Sequence, residues 1–137
     1  MIKGVYEAVL YTDDVSEAAA FYSNVVGLRP AAPVSSLMAA FRTGESDEIP
    51  PSGLLLVFNR REAAVPGREV PSHGTIGAGH VALRIAADRY EWWKDRLARH
   101  GVPIEQEAEW KTGARSIYFR DPAGNSVELV AGEIWAP

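Results

Sequence analysis

Apolar positions along this chain fall into short runs punctuated by Gly, Pro and Asp, and the runs come in two similar sets. Residues 4–12, Gly-Val-Tyr-Glu-Ala-Val-Leu-Tyr-Thr, concentrate β-branched, aromatic and aliphatic side chains, the pattern of a strand. Asp14 and Glu17 follow, three positions apart, a spacing that lets the Asp oxygen accept an amide of the first helical turn. Ala18, Ala19, Ala20, Phe21, Tyr22, Val25 and Val26 then predict a helix, and Gly27 ends it as the left-handed residue past the last turn. Strands are predicted at 28–34, 36–43 and 53–60, the last two separated by the polar, Pro-containing stretch from Thr43 to Gly53.

The same order returns downstream. Residues 78–86 predict a strand, Asp88 and Glu91 repeat the capping pair, Trp92, Trp93, Leu97 and Ala98 supply a helical apolar face, and Gly101 stops it. Asp14 and Asp88, Glu17 and Glu91, and Gly27 and Gly101 each lie 74 positions apart, the mark of an internal repeat. Strands are predicted again at 102–110, 114–120 and 125–131, with Asp121-Pro122-Ala123-Gly124 as a turn before the last. Each half therefore reads βαβββ. The expected architecture is one α+β domain over residues 1–137, built from two modules, about 1–60 and 77–137, joined by a linker at 61–76. The two modules are expected to form a curved eight-stranded mixed sheet around a cleft, with the helices outside.

Composition narrows the function. A length of 137 residues with 47% hydrophobic and 23% charged residues is ordinary for a globular domain and excludes disorder for the bulk. A net charge of −4 argues against a nucleic-acid partner, and no apolar run is long enough for a membrane span. The first residues lack the apolar stretch of a signal peptide, and the chain has no Cys; both fit a cytoplasmic location. Disulfides, thiolate metal sites and Cys nucleophiles are excluded together.

Three His remain as candidates for chemistry. His73 falls in the linker and His100 in the last helical turn, where a cation meets the helix dipole favourably. His80 opens a strand, and its counterpart in the first half, 73 positions earlier, is Glu7. Glu128 lies inside the apolar last strand, where a carboxylate is costly unless paired or metal-bound. If the halves line a common cleft, Glu7, His80 and Glu128 converge from three strands, and two carboxylates with an imidazole suit a divalent first-row ion. Tyr118, ten positions before Glu128, can face the same cleft from the adjacent antiparallel strand. The repeat places Leu55 as the counterpart of Glu128, and Leu cannot bind a metal. Trp110, Lys111, Thr112 and Arg115 are further candidate cleft contacts; Glu45 and Glu48 are weak candidates for a general base.

The chain resembles the vicinal oxygen chelate superfamily, which includes glyoxalase I, fosfomycin-resistance proteins, extradiol dioxygenases and bleomycin-binding proteins. The resemblance rests on Asp14 to Ala18 with Phe21-Tyr22 and Val26-Gly27-Leu28, on Gly79-His80-Val81-Ala82-Leu83, and on the run from Ser116 to Leu129. It implies paired βαβββ modules and a metal held at Glu7, His80 and Glu128, with Tyr118 bonding substrate or a metal-bound oxygen. It also implies one divalent ion (Zn, Mn, Ni, Fe or Mg), a small organic substrate chelated through two oxygens, and a homodimer. The expected chemistry is oxyanion or enolate stabilisation of the lyase, isomerase, epimerase or dioxygenase kind. The alternative is a metal-free small-molecule or drug-binding protein. Departures from the family pattern are Val9 and Pro137, where thiol-transferring fosfomycin-resistance proteins use Thr and Arg, and Leu55, where glyoxalase I uses Glu.

Overall fold

The computed structural model describes residues 1–44 and 53–135. The chain divides after Gly79 into two compact units. The first contains β1 (Glu7–Thr12), α1 (Val15–Phe21) running on into a π-helical turn (Tyr22–Val26), β2 (Arg29–Pro30), β3 (Met38–Arg42), β4 (Leu54–Asn59) and α2 (Arg60–Ala63). The second contains β5 (His80–Ile85), a 3-10 turn (Ala87–Arg89), α3 (Tyr90–Arg99), β6 (Gln106–Glu109), β7 (Arg115–Arg120) and β8 (Ser126–Ala131). Each unit folds its strands into a four-stranded mixed sheet, in the orders β1-β4-β3-β2 and β5-β8-β7-β6. In each sheet the first strand runs parallel to the last, and the other neighbours are antiparallel. This is the βαβββ arrangement twice over.

In the first unit, Asp14 sits in extended conformation and its Oδ1 accepts the Glu17 amide at 3.0 Å, which starts α1. Gly27, at φ 81°, closes the helical segment in the left-handed region. Val15, Ala18, Ala19 and Tyr22 are buried, α1 packs on β3 and β4, and the Tyr22 ring lies 5.9 Å from that of Phe41. The face beneath the helix is made by Leu10, Phe41, Leu55 and Val57, all buried.

In the second unit the corresponding face carries Ile117, Phe119, Val127 and Leu129, buried with Leu97 of α3. Glu107 and Arg115 lie on that same face. The Tyr90 hydroxyl donates to Glu107 at 2.7 Å, and the Arg115 guanidinium stands 3.8 Å from the Tyr90 ring centre. These contacts fix α3 over this side of its sheet.

Several expectations change. Asp88 does not cap the second helix: the chain enters it through the 3-10 turn, and no side chain bonds the first amides. The stretch expected as linker 61–76 begins within α2, which starts because the Asn59 side chain accepts the amides of Arg61 and Glu62. The strands expected at 28–34 and 102–110 shrink to Arg29–Pro30 and Gln106–Glu109; Pro33 and Pro103, outside them, lack the N–H a ladder needs.

The registers also settle which residues correspond. Glu7 pairs with Leu54 and Val9 with Leu56, while His80 pairs with Ser126 and Ala82 with Glu128. Glu7 therefore matches His80, but the counterpart of Glu128 is Leu56 and not Leu55. Leu55 lies fully buried on the opposite, helix-covered face. The repeat offset is 73 at the first strands and 72 at the last, and one residue of slip reverses the face.

Candidate metal centre

Strand alternation puts His80, Ala82 and Arg84 of β5 on one face, together with Ser126, Glu128 and Val130 of β8. The β7–β8 register sets Tyr118 directly opposite Glu128 on the same face. Three of the expected site residues, His80, Tyr118 and Glu128, are thus neighbours within the second unit.

The His80 ring is oriented by the backbone. Its Nδ1 lies 3.1 Å from the Ser126 carbonyl oxygen. A carbonyl only accepts, so Nδ1 carries a proton in this bond, and in the neutral ring Nε2 then holds the lone pair. Nε2 points at Glu128 Oε2, 3.4 Å away. The other carboxylate oxygen, Oε1, accepts a short hydrogen bond from the Tyr118 hydroxyl, and the Tyr118 and His80 rings stack with centroids 6.3 Å apart. Glu128 is only 6% exposed, whereas His80 opens to solvent. Burial, and then the Glu128 carboxylate it bonds, push the Tyr118 hydroxyl up to about 12. The Tyr118 hydroxyl therefore stays protonated at neutral pH, with its one proton directed at Glu128 Oε1.

A lone pair on Nε2 facing a carboxylate oxygen is an arrangement of two acceptors. Only a cation or a proton between them makes it favourable. The donor set, an imidazole whose second nitrogen is tied to a carbonyl and a carboxylate whose second oxygen is tied to a hydroxyl, fits a divalent ion, since metal-binding His and carboxylate groups are oriented by such outer partners. Among the described residues, no group of three or more His, Cys, Asp or Glu is gathered in a way that would hold a metal. Glu7, the third expected ligand, belongs to the first unit, where it is exposed on the face of its own sheet that also bears Val9 and Tyr11.

The remaining candidates separate clearly. His73 is held by aromatic packing: Tyr11 Oη lies 2.7 Å from its Nδ1, and the ring meets Phe58 edge-on at 4.6 Å. His100 caps the end of α3 through its own backbone. Arg115 faces α3, away from His80. Trp110 reaches the His80 side, its indole N–H donating to Ser116 Oγ at 2.9 Å. Lys111 and Thr112 lie exposed in the turn between β6 and β7. Glu45, Glu48 and Pro137 lie outside the described residues. One feature escaped the sequence reading. A cavity of about 270 Å³ adjoins Glu128 and is lined by Ala82, Arg84, Val130, Glu133 and Trp135 among others. Its signal was the alternation of β5, which puts Arg84 on the face of His80.

Residues 4–129 match the model of the Glyoxalase/Bleomycin resistance protein/Dioxygenase superfamily. The chain belongs to this superfamily. It is similar to a lactoylglutathione lyase from Agrobacterium tumefaciens, with 32% identity and a TM-score of 0.87 over 99% of this chain and 98% of that one. It is 27% identical over 135 residues to the metallothiol transferase FosB of Bacillus licheniformis, covering 98% of this chain and 79% of the relative. It shares its fold with a variant of the fosfomycin resistance protein FosX from Listeria monocytogenes, solved with Mn(II) and 1S,2S-dihydroxypropylphosphonic acid. That match has a TM-score of 0.69 and 22% identity over 98% of this chain and 94% of that one. The two βαβββ units are the modules of this superfamily, as the motifs around His80 and Glu128 implied. Membership supports metal-dependent chemistry on small molecules. Among the described residues, no helix is long and apolar enough to cross a membrane.

Proposed function

We propose that this protein is a divalent-metal-dependent enzyme acting on a small organic substrate that presents two neighbouring oxygens. The observation that carries the reading is the His80–Glu128 geometry: Nε2, freed by the Ser126 carbonyl, faces Oε2 at 3.4 Å. His80 and Glu128 would hold the ion, and Glu7 would join them as the residue that matches His80 in the repeat. When bound, a Zn, Mn, Ni, Fe or Mg ion supplies Lewis acidity for charge developing on substrate oxygen, the requirement shared by lyase, isomerase, epimerase and dioxygenase reactions of this kind.

The chain's own groups do the rest. The Ser126 carbonyl keeps the His80 proton on Nδ1. Tyr118 occupies Oε1 of Glu128 and leaves Oε2 directed at His80. A Tyr hydroxyl has one proton, so Tyr118 meets a substrate oxygen arriving at this face by turning that proton from Oε1 of Glu128 to the substrate. We assign Tyr118 that catalytic role. The protein acts as a homodimer in this reading, and light scattering at micromolar concentration should return about twice the 14.9 kDa chain mass.

Elemental analysis of protein purified without a metal-chelating tag tests the site. Wild type should carry a stoichiometric divalent ion; His80→Ala and Glu128→Gln should lose most of it, while His73→Ala and His100→Ala keep it. Glu7→Gln should lower occupancy as well. Equal metal content in wild type and His80→Ala would overturn the assignment.

A further inference from the structure

We propose that the cavity beside Glu128 is a subsite for an anionic group of the substrate, a carboxylate, with Arg84 as its anchor. The proposal deepens the metal-centre reading, which supplies what happens at the other end of the same molecule.

Three features of β5 and its surroundings carry it. Arg84 stands four residues beyond His80 on the same strand face, about 13 Å along the strand at the usual rise. Between them sits Ala82, directly across from Glu128 in the register. A methyl group there leaves the floor unfilled, and the result is the cavity of about 270 Å³. Its lining is polar in two places: Glu128 lines it, and so do Arg84 and Glu133, which are paired with each other. Glu128 repels an entering anion, and Arg84 attracts it once Glu133 gives way, so a substrate acid is turned with its charged end away from the metal ligands.

Arg84 is equipped for exchange. Its Nη1 donates to Glu133 Oε2 at 2.9 Å, but both side chains are largely in solvent, at 72% and 53% exposure. Exposed pairs of this kind contribute little. The guanidinium fork matches a carboxylate bidentately, so an incoming carboxylate can take the place of Glu133. Trp135, on the same cavity wall, is 88% exposed and offers ring surface for the body of an organic acid to cover. The substrate class that fits is a small organic acid, with a carboxylate at one end and the chelating oxygens at the other.

The test uses the full chain, freed of metal with EDTA and labelled with ¹⁵N, titrated with benzoate and with its neutral isostere benzamide. Benzoate should shift the amides of Ala82, Val130 and Gly132, and benzamide should bind about tenfold more weakly, the scale of one charge-assisted pair. Arg84→Gln should bring benzoate down to the level of benzamide, and Glu133→Gln, which removes the competing carboxylate, should tighten benzoate. Equal affinity for the two compounds, or unchanged benzoate binding in Arg84→Gln, would overturn the subsite. Because these titrations contain no metal, they are independent of the elemental analysis. Arg84-dependent benzoate binding in a protein that takes up no ion would keep the subsite and sink the metal centre.

Discussion

The register difference between the two units makes a sharp prediction at two adjacent leucines. Leu55 is fully buried on the face covered by α1, and Leu56 lies on the opposite face, diagonal to Glu7 as Glu128 is diagonal to His80. A carboxylate introduced at either position forfeits the burial of a leucine, roughly 1.5–3 kcal/mol. It also adds the cost of an unpaired buried charge, which is several kcal/mol more. Against a total stability of about 5–15 kcal/mol, Leu55→Glu should leave a chain that is largely unfolded or melts far below wild type. Leu56→Glu begins with the same cost, but its carboxylate shares a face with Glu7, and a divalent ion can bridge the two. At tenfold excess over its Kd, an ion restores about 1.4 kcal/mol. In a chain of this size that is roughly 5 °C in Tm. The assay is thermal unfolding with and without Mn²⁺, in a His80→Ala background so that the native centre does not contribute. Leu56→Glu should gain stability from the ion and Leu55→Glu should not. Equal responses of the two variants, or rescue of Leu55→Glu alone, would refute the register argument.

What could be read from the sequence was local or periodic. The Asp14 cap, the Gly27 and Gly101 stops and the turn before Asn125 are set by residues within a few positions of each other, and all appear in the fold. Tyr118 and Glu128 were legible as partners because a short turn between antiparallel strands fixes who faces whom. The errors arose where a contact distant in sequence decides the outcome. Asp88 and Glu91 repeat the spacing of Asp14 and Glu17, yet α3 is positioned by Tyr90 reaching Glu107 and Arg115, seventeen or more residues away. The composition of the 61–76 stretch hides that His73 packs between Tyr11 and Phe58. Leu55 stands where the 73-residue offset of Glu7 and His80 places the counterpart of Glu128, but the last strands pair at an offset of 72, a one-residue change that the first strands do not report. Arg84 went unremarked beside His80 because a charged residue on a half-exposed strand is ordinary until a cavity is found next to it.

The remaining predictions test these local assignments. Asp14→Ala should cost about 1 kcal/mol in urea unfolding, as loss of a helix cap does, while Asp88→Ala should stay within about 0.5 kcal/mol. Tyr118→Phe should leave the fold intact but weaken binding of the divalent ion about tenfold, because it frees Oε1 of Glu128 from the partner that orients it. The last concerns pH. Burial first, and then the Glu107 carboxylate it bonds, push the Tyr90 hydroxyl up to about 12 from an ordinary value near 10. The folded chain therefore keeps this proton where the unfolded chain has lost it. Between pH 10 and 12 the unfolded state binds fewer protons, so stability is complete below pH 10 and falls as pH rises through 12. Tyr90 is only 3% exposed, and its share of that loss is roughly 2–3 kcal/mol. Tyr90→Phe has no proton to lose. It should cost about 1 kcal/mol at pH 8, from the missing hydrogen bond, and then decline much less than wild type towards pH 12. Urea unfolding at pH 8, 10 and 11.5 measures both effects. Parallel alkaline losses in wild type and Tyr90→Phe would show that Tyr90 does not carry this dependence.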